Sequence, residues 1–128
     1  MMRTMLQAKL HRVTVTGARL DYDGSCGIDD TLLKAAGIAT HQMIDVYNIS
    51  NGERFTTYAI KAPAGSGEIS LYGAAARKAV VGDLLIICAY ANYDEADLRD
   101  YEPRVVHVNS DNSIQAPERV HASASSSR

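Results

Sequence analysis

An alternation of hydrophobic and polar residues begins near the amino terminus and predicts a β-strand. Residues 6–10 are apolar at every second position, the pattern of a strand with one buried face. The apolar positions then continue at Val13 and Val15, one step out of phase with the earlier ones. A phase shift of this kind indicates an extra residue in the strand, so we expect a bulge near His11 and Arg12.

Similar patterns predict several more short strands. The Asn51-Gly52 pair is a strong hairpin signal and joins a strand over 43–49 to a return strand over 54–61. Further strands are predicted at 69–71, 84–90 and 105–108. A helix is predicted over 30–36, because Asp29 is a good N-cap and Gly37 stands at its end. Short helical turns are expected at 73–76 and 94–100. Many short strands with two or three small helices predict a mainly β fold, closed into a small barrel.

Length and composition place the chain among globular proteins of one domain. It has 128 residues, of which 46% are hydrophobic and 22% are charged. We place a single catalytic domain at 1–109 and a flexible tail at 110–128, because the end is rich in serine and alanine. No apolar run is long enough to span a membrane. The net charge of −2 and the scattered basic residues argue against nucleic acid as a partner. Two cysteines and the lack of a signal-peptide pattern favour a cytoplasmic location.

The Gly24-Ser25 bond lies between strand-like sequence and the start of the predicted helix. The Ser25 hydroxyl is held one covalent step from the Gly24 carbonyl, and attack there would shift the acyl group from nitrogen to oxygen. Elimination from the resulting ester would leave dehydroalanine, which loses ammonia to become a pyruvoyl group. The dipeptide alone favours an ordinary loop turn before a helix. Only the surrounding residues can therefore distinguish self-cleavage from such a turn.

Few other patterns point to chemistry. The four histidines lack the spacing of metal ligands, and we expect no metal site: His11, His41, His107 and His121. Cys26 is interpreted as a buried structural thiol. Alternation places Arg54, Thr56 and Tyr58 on one face of the return strand and Thr57 on the other. Lys9 lies on the polar face of the first strand, where a lysine is ordinarily solvated.

Four segments that follow one another in a characteristic order change the interpretation of these residues. The segments are 5–12, 22–29, 51–58 and 73–76. Together they resemble the aspartate 1-decarboxylases, pyruvoyl-dependent carboxy-lyases that convert L-aspartate to β-alanine and CO2 for pantothenate synthesis. The resemblance covers roughly residues 1–93. It favours self-cleavage at Gly24-Ser25 over the ordinary turn.

The resemblance implies a fold, an assembly and a cofactor. The fold would be a small double-psi β-barrel, and the assembly a cytoplasmic homotetramer with active sites between subunits. The precursor would cut itself after Gly24 into fragments 1–24 and 25–128. The cofactor would be a covalently bound pyruvoyl group derived from Ser25, which forms a Schiff base with L-aspartate.

The resemblance also implies roles for individual residues. Thr57 would hold the Gly24 carbonyl during processing and would contact the substrate afterwards. Tyr58 would be the proton donor. Arg54 suits the side-chain carboxylate of the substrate because a guanidinium binds a carboxylate through two hydrogen bonds, and Lys9 would lie near the α-carboxylate. Three small residues complete the expected substrate contacts: Gly73, Ala74 and Ala75.

Tyr72 departs from the pattern, because the resembled family typically carries asparagine there. A tyrosine is larger and lacks the paired donor and acceptor of an amide. Two interpretations stand equally: the tyrosine narrows the pocket or slows processing, or it is a tolerated variation. The alternative function is therefore a non-catalytic barrel that binds a ligand or a protein. The residues expected to line the pocket are His11, Tyr22, Tyr47 and Tyr72.

Overall fold

A computed structural model describes residues 1–116 and shows a mainly β protein. Eight strands form one sheet, and they are β1 (Arg3–Thr14), β2 (Gly17–Arg19), β3 (Ser25–Asp29), β4 (Met43–Asn48), β5 (Arg54–Ala62), β6 (Ile69–Tyr72), β7 (Leu84–Tyr93) and β8 (Arg104–His107). One α-helix, α1 (Asp30–Ala36), and two 3-10 helices, Gly73–Arg77 and Asp97–Asp100, complete the elements. Across these residues, no helix has both the length and the apolar character needed to cross a bilayer.

The order of the strands requires the sheet to curl. Along the sheet the order is β2-β6-β3-β5-β4-β7-β1-β8, so β1 and β2 lie near opposite ends although two residues join them. The connection between them bonds to the far end, since the Thr16 N–H donates to the Ile69 carbonyl at 2.8 Å. This curled arrangement is consistent with the predicted small β-barrel. Its interior holds the large fully buried side chains, among them Leu10, Ile28, Ile44, Leu71, Leu85 and Ile87.

The bulge predicted near His11 and Arg12 is confirmed. The pairing of β1 with β7 shifts register between His11 and Val13, and Arg12 has a φ of 66°. A second shift lies between Leu6 and Ala8. The bulge moves the apolar set so that Val13 and Val15 are buried like Leu10.

The predicted helix is confirmed at both ends. The Asp29 carboxylate accepts the Thr31 N–H at 2.8 Å, and Gly37 ends the helix with a φ of 73°. The same carboxylate accepts the N–H groups of Gly65 at 2.9 Å and Gly67 at 2.8 Å. Burial opposes ionisation of Asp29, but these amide donors outweigh it and hold the pKa of the carboxyl below its ordinary value.

The folded part of the chain continues past the domain boundary predicted at residue 109. Asn112 is 1% exposed, and its side-chain amide bonds to both backbone groups of Thr14, at 2.7 and 2.8 Å. It also donates to the Gly67 carbonyl at 2.8 Å. Residues 110–116 are therefore tied to the barrel by a buried amide. The rest of the predicted tail, 117–128, lies outside the described residues.

Candidate active site

Ser25 stands where an exposed loop enters the core. Tyr22, Asp23 and Gly24 are exposed, whereas Ser25 is 3% exposed and begins the fully buried strand β3. Its Oγ donates a hydrogen bond to the Asp23 carbonyl oxygen at 3.4 Å. The backbone of Ser25 pairs with Tyr72 across the antiparallel β3–β6 ladder. The predicted cleavage bond thus has an exposed loop on one side and a buried strand on the other.

Gly73 packs directly against this bond. Its φ is +68°, and a Cβ placed there would lie 2.7 Å from the Gly24 Cα and 2.8 Å from the Gly24 nitrogen. The same Cβ would lie 2.9 Å from the Tyr22 carbonyl oxygen. Backbone atoms cannot approach a real Cβ so closely, so only glycine permits this contact. Gly73, one of the three small residues predicted to contact substrate, thus contacts the segment that is expected to be cut, and its substrate contact stays a prediction.

Strand β5 pairs with β3 and places Thr57 and Tyr58 near the level of Ser25. Cys26 pairs with Ala59 in the parallel β3–β5 ladder, so Ser25 and Tyr58 each occupy the preceding position on neighbouring strands. The opposite faces predicted for Thr57 and Tyr58 are confirmed, because Thr57 pairs with the buried Ile44 while Tyr58 is exposed.

These two residues line a surface cavity. It has a volume of about 530 Å³, and its other lining residues are His41, Met43 and Thr56. The rings of His41 and Tyr58 are 5.9 Å apart between centroids. In the part of the chain that the structure describes, the Thr57 hydroxyl makes no hydrogen bond to the Gly24 carbonyl. Its expected role in processing stays a prediction.

Arg54 and Tyr47 line a second hollow, which shares Thr56 with the first. The Arg54 guanidinium lies over the Tyr47 ring, 4.6 Å from its centroid, and the hollow that they line measures about 240 Å³. The Tyr47 hydroxyl is 3.1 Å from the Tyr90 hydroxyl, and this bond is the main cause of the raised pKa of Tyr90. Arg54 precedes Tyr58 by four residues, which corresponds to about 14 Å along a strand.

Lys9 and His11 lie on the same outer face as Arg54, but three strands away from it. Paired positions run across the sheet in two rows, Lys9–Cys88–Asp45–Thr56 and His11–Ile86–Tyr47–Arg54. Three strand spacings separate the ends of each row by about 14 Å. The His11 ring lies 5.2 Å from the His107 ring. Burial, and then the charge of Lys9, lower the pKa of His11.

One chain therefore contains two parts of the predicted site. The first, which we name the cleavage part, comprises Ser25, Thr57, Tyr58 and Gly73, at the start of β3, in the middle of β5 and just after β6. The second, which we name the cation face, carries Lys9, His11, Tyr47 and Arg54 on the outer face of β1, β7, β4 and β5. Along the sheet, four strand positions separate β1, which carries Lys9, from β3, which begins at Ser25.

Tyr72 is held in place by two neighbours, of which the sequence analysis named Tyr22 but not Glu68. Its hydroxyl donates to Glu68 Oε2 at 3.0 Å, and its ring stacks on Tyr22 with centroids 5.1 Å apart at 22°. Burial is the largest cause of the raised pKa of Tyr72. Glu68 comes just before β6 and stands two positions before Ser70, which is two positions before Tyr72, so a period of two residues was a sequence signal for this cluster. No sequence motif singles out His41 or Tyr90.

Both cysteines are unpaired and buried. Burial raises the pKa of the Cys26 thiol to about 12, which keeps it protonated and unreactive. This supports its interpretation as a structural thiol. Within residues 1–116, no group of three or more potential ligands is placed to hold a metal ion.

Comparison with known proteins decides the family. The sequence profile described as aspartate decarboxylase matches residues 1–115. The chain belongs to the aspartate decarboxylase family. Among similar members, the aspartate 1-decarboxylase of Methylobacillus flagellatus is 61% identical over 115 residues, which cover 90% of this chain and 91% of that protein. The aspartate 1-decarboxylase of Ralstonia pickettii is 60% identical over 116 residues, covering 91% of this chain and 97% of that relative. The family predicted from the four segments is thereby confirmed.

Proposed function

We propose that this member of the family is a pyruvoyl-dependent aspartate 1-decarboxylase that cuts itself between Gly24 and Ser25. Its activity is that of a carboxy-lyase, which converts L-aspartate to β-alanine and CO2 for pantothenate synthesis. The observation that carries the proposal is the packing of Gly73 against Gly24 beside the buried Ser25. That contact fixes the backbone on the amino side of the bond next to the nucleophile.

The residues around position 25 fit a pyruvoyl group. The Ser25 hydroxyl is buried, so it competes with little water for the adjacent carbonyl. Self-cleavage would exchange the Gly24-Ser25 amide for an ester to Oγ. Loss of the Ser25 α-proton and of the Gly24 carboxylate would then leave dehydroalanine, and water would replace its nitrogen as ammonia. The new terminus would stay in place because β3 is paired on both sides.

The chain's other residues would bind the substrate and move its protons. When formed, the pyruvoyl group supplies an electron sink for the pair left by departing CO2. Arg54 would bind the side-chain carboxylate and Lys9 the α-carboxylate. Tyr58, which precedes Ala59 on β5 as Ser25 precedes the paired Cys26 on β3, would donate the proton to the carbon that loses CO2. The Thr57 hydroxyl would first support the Gly24 carbonyl and then face the substrate.

The proposal includes a homotetramer with active sites between subunits. Support comes from the separation of the cleavage part from the cation face within one chain. A second copy could bring its cation face to the first copy's Ser25, and closed assemblies of identical chains are common. We also propose a cytoplasmic location. Both cysteines are unpaired, as is usual for proteins of a reducing compartment.

Intact-mass measurement of the purified protein tests self-cleavage. We expect two fragments, 1–24 and 25–128, with the larger one blocked at its amino end and trapped by aspartate with borohydride. Ser25→Ala should give one full-length chain. The matched control is Ser66→Ala, because Gly65-Ser66 is the same dipeptide in an exposed loop. A wild-type chain that stays intact after prolonged warming would refute the proposal and support the non-catalytic barrel.

Mixed subunits test the shared site. Tyr58→Phe disables the cleavage part, and Lys9→Met disables the cation face. If the two parts come from different chains, random mixing would restore about a quarter of the sites. Activity in the co-expressed mixture that merely equals the mean of the two variants would show that each site uses a single chain.

A further inference from the structure

The segment that contains the predicted cleavage bond contacts Tyr72 at two places. Ser25, just after the bond, pairs with the Tyr72 backbone in the β3–β6 ladder. Tyr22, two residues before the bond, stacks its ring on the Tyr72 ring at 5.1 Å and 22°. Only Asp23 and Gly24 separate the two attachments. One residue therefore holds both ends of the short segment that contains the bond.

The Tyr72 ring is itself fixed from two sides. Its hydroxyl donates to Glu68 Oε2, which also accepts from the Ser70 hydroxyl at 2.9 Å. The ring lies across Gly27, where an added Cβ would be only 3.1 Å from Tyr72 Cε2. A glycine in a strand leaves room for a diagonal aromatic neighbour, and the aromatic covers the exposed backbone. Glu68 and Gly27 thus hold the ring where Tyr22 can stack on it.

Tyr22 has a further contact on the loop side. The Arg19 guanidinium lies 4.3 Å from the centroid of its ring. Tyr22 is nevertheless 50% exposed, so its side chain contributes little to the core. Its contacts restrain the loop rather than the barrel.

We propose that Tyr72 is a positioning residue for self-cleavage, acting through its stack on Tyr22 to hold the segment 22–25 in a restricted conformation. A restricted segment favours the reaction because attack by Ser25 on the Gly24 carbonyl requires one arrangement of the bond. Each residue before the bond that rotates freely lowers the fraction of molecules in that arrangement. This inference rests on the proposed self-cleavage. It assigns Tyr72 a role that accelerates processing.

The rate of precursor cleavage tests the inference. Freshly synthesised precursor is followed by gel and mass for wild type, Tyr22→Ala, Tyr72→Ala and the double variant. Removal of an aromatic pair of this kind should slow precursor cleavage roughly 2- to 12-fold in each single variant. Because both variants remove the same contact, the double variant should be no slower than Tyr72→Ala. Tyr22→Phe and Tyr72→Phe keep the stack and should retain most of the wild-type rate.

Controls separate positioning from general damage. Tyr93→Ala removes another aromatic pair, Tyr93 with Tyr101, and should leave the cleavage rate unchanged. If Tyr72→Ala fails to fold, Tyr22→Ala alone decides, since it alters an exposed loop. Cleavage at the wild-type rate or faster in Tyr22→Ala, or multiplied losses in the double variant, would overturn the positioning role. A wild-type precursor that never cleaves would instead overturn the proposed function.

Discussion

Replacing Gly73 by alanine is expected to destabilise the fold and slow self-cleavage together. The added methyl would meet three backbone atoms, the Gly24 Cα at 2.7 Å, the Gly24 nitrogen at 2.8 Å and the Tyr22 carbonyl oxygen at 2.9 Å. None of them belongs to a flexible side chain that can rotate away. The loop must therefore move, or the 3-10 helix that begins at Gly73 must shift.

The magnitude follows from two separate costs. A residue other than glycine in the left-handed region, where Gly73 has a φ of +68°, costs about 1–2 kcal/mol. Forcing an extra carbon into a packed site costs about 1–3 kcal/mol. The expected loss in the free energy of unfolding is thus about 2–5 kcal/mol.

Gly65→Ala is the matched control. Gly65 has a φ of +80°, yet a Cβ there would meet nothing within 4 Å. It should show only the backbone cost, about 1–2 kcal/mol. Urea unfolding of the Ser25→Ala background compares the two free energies without interference from cleavage, and a gel time course in the wild-type background compares the rates. Equal stability losses in the two variants, with unchanged cleavage in Gly73→Ala, would refute the contact between Gly73 and the cleavage segment.

Three further changes test other parts of the structure. Arg54→Lys should raise KM for aspartate roughly 10- to 100-fold in steady-state assays, because a charge-assisted hydrogen bond is lost, while precursor cleavage stays unchanged. Asp29 has a pKa lowered from 3.8, so its stabilising effect is present above that value and is lost as pH falls through the lowered pKa. Urea unfolding from neutral to acid pH should therefore show the advantage of wild type over Asp29→Asn shrinking, and a constant difference would contradict this. Asn112→Ala leaves buried backbone groups unpaired and should cost about 3 kcal/mol in chemical denaturation; a loss below about 0.5 kcal/mol would contradict its bridging role.

Local signals made much of the fold predictable. Helix α1 ends where the Asp29 cap and Gly37 place it, because both signals act on the nearest backbone groups. The β1 bulge was visible as a change of hydrophobic phase. The ladder between β4 and β5 follows the Asn51-Gly52 turn, since a tight turn determines which residues face each other.

Contacts between distant segments were not predictable in this way. Asn112 bonds to Thr14 across 98 positions, and nothing near residue 112 indicates a buried amide. The prediction of a tail from 110 rested on the serine- and alanine-rich end of the chain, although one polar side chain near its start satisfies buried backbone groups. The partners of Tyr72 were hidden for a similar reason, because Gly27 and Tyr22 reach it only through the pairing of β3 with β6.

The cleavage part and the cation face would need different physical environments, which gives a reason for their separation along the sheet. Self-cleavage needs a nucleophile shielded from water and a restrained backbone, which the buried start of β3 provides. Recognition of a dicarboxylate needs cations that stay solvated before the substrate arrives, because a buried unpaired cation is costly. In the proposed site, Lys9 and Arg54 would meet that need on the outer face of the sheet, where the Arg54 guanidinium lies over the Tyr47 ring. Placing the two requirements at different positions of one chain would let each be met, provided that a second copy closes the site.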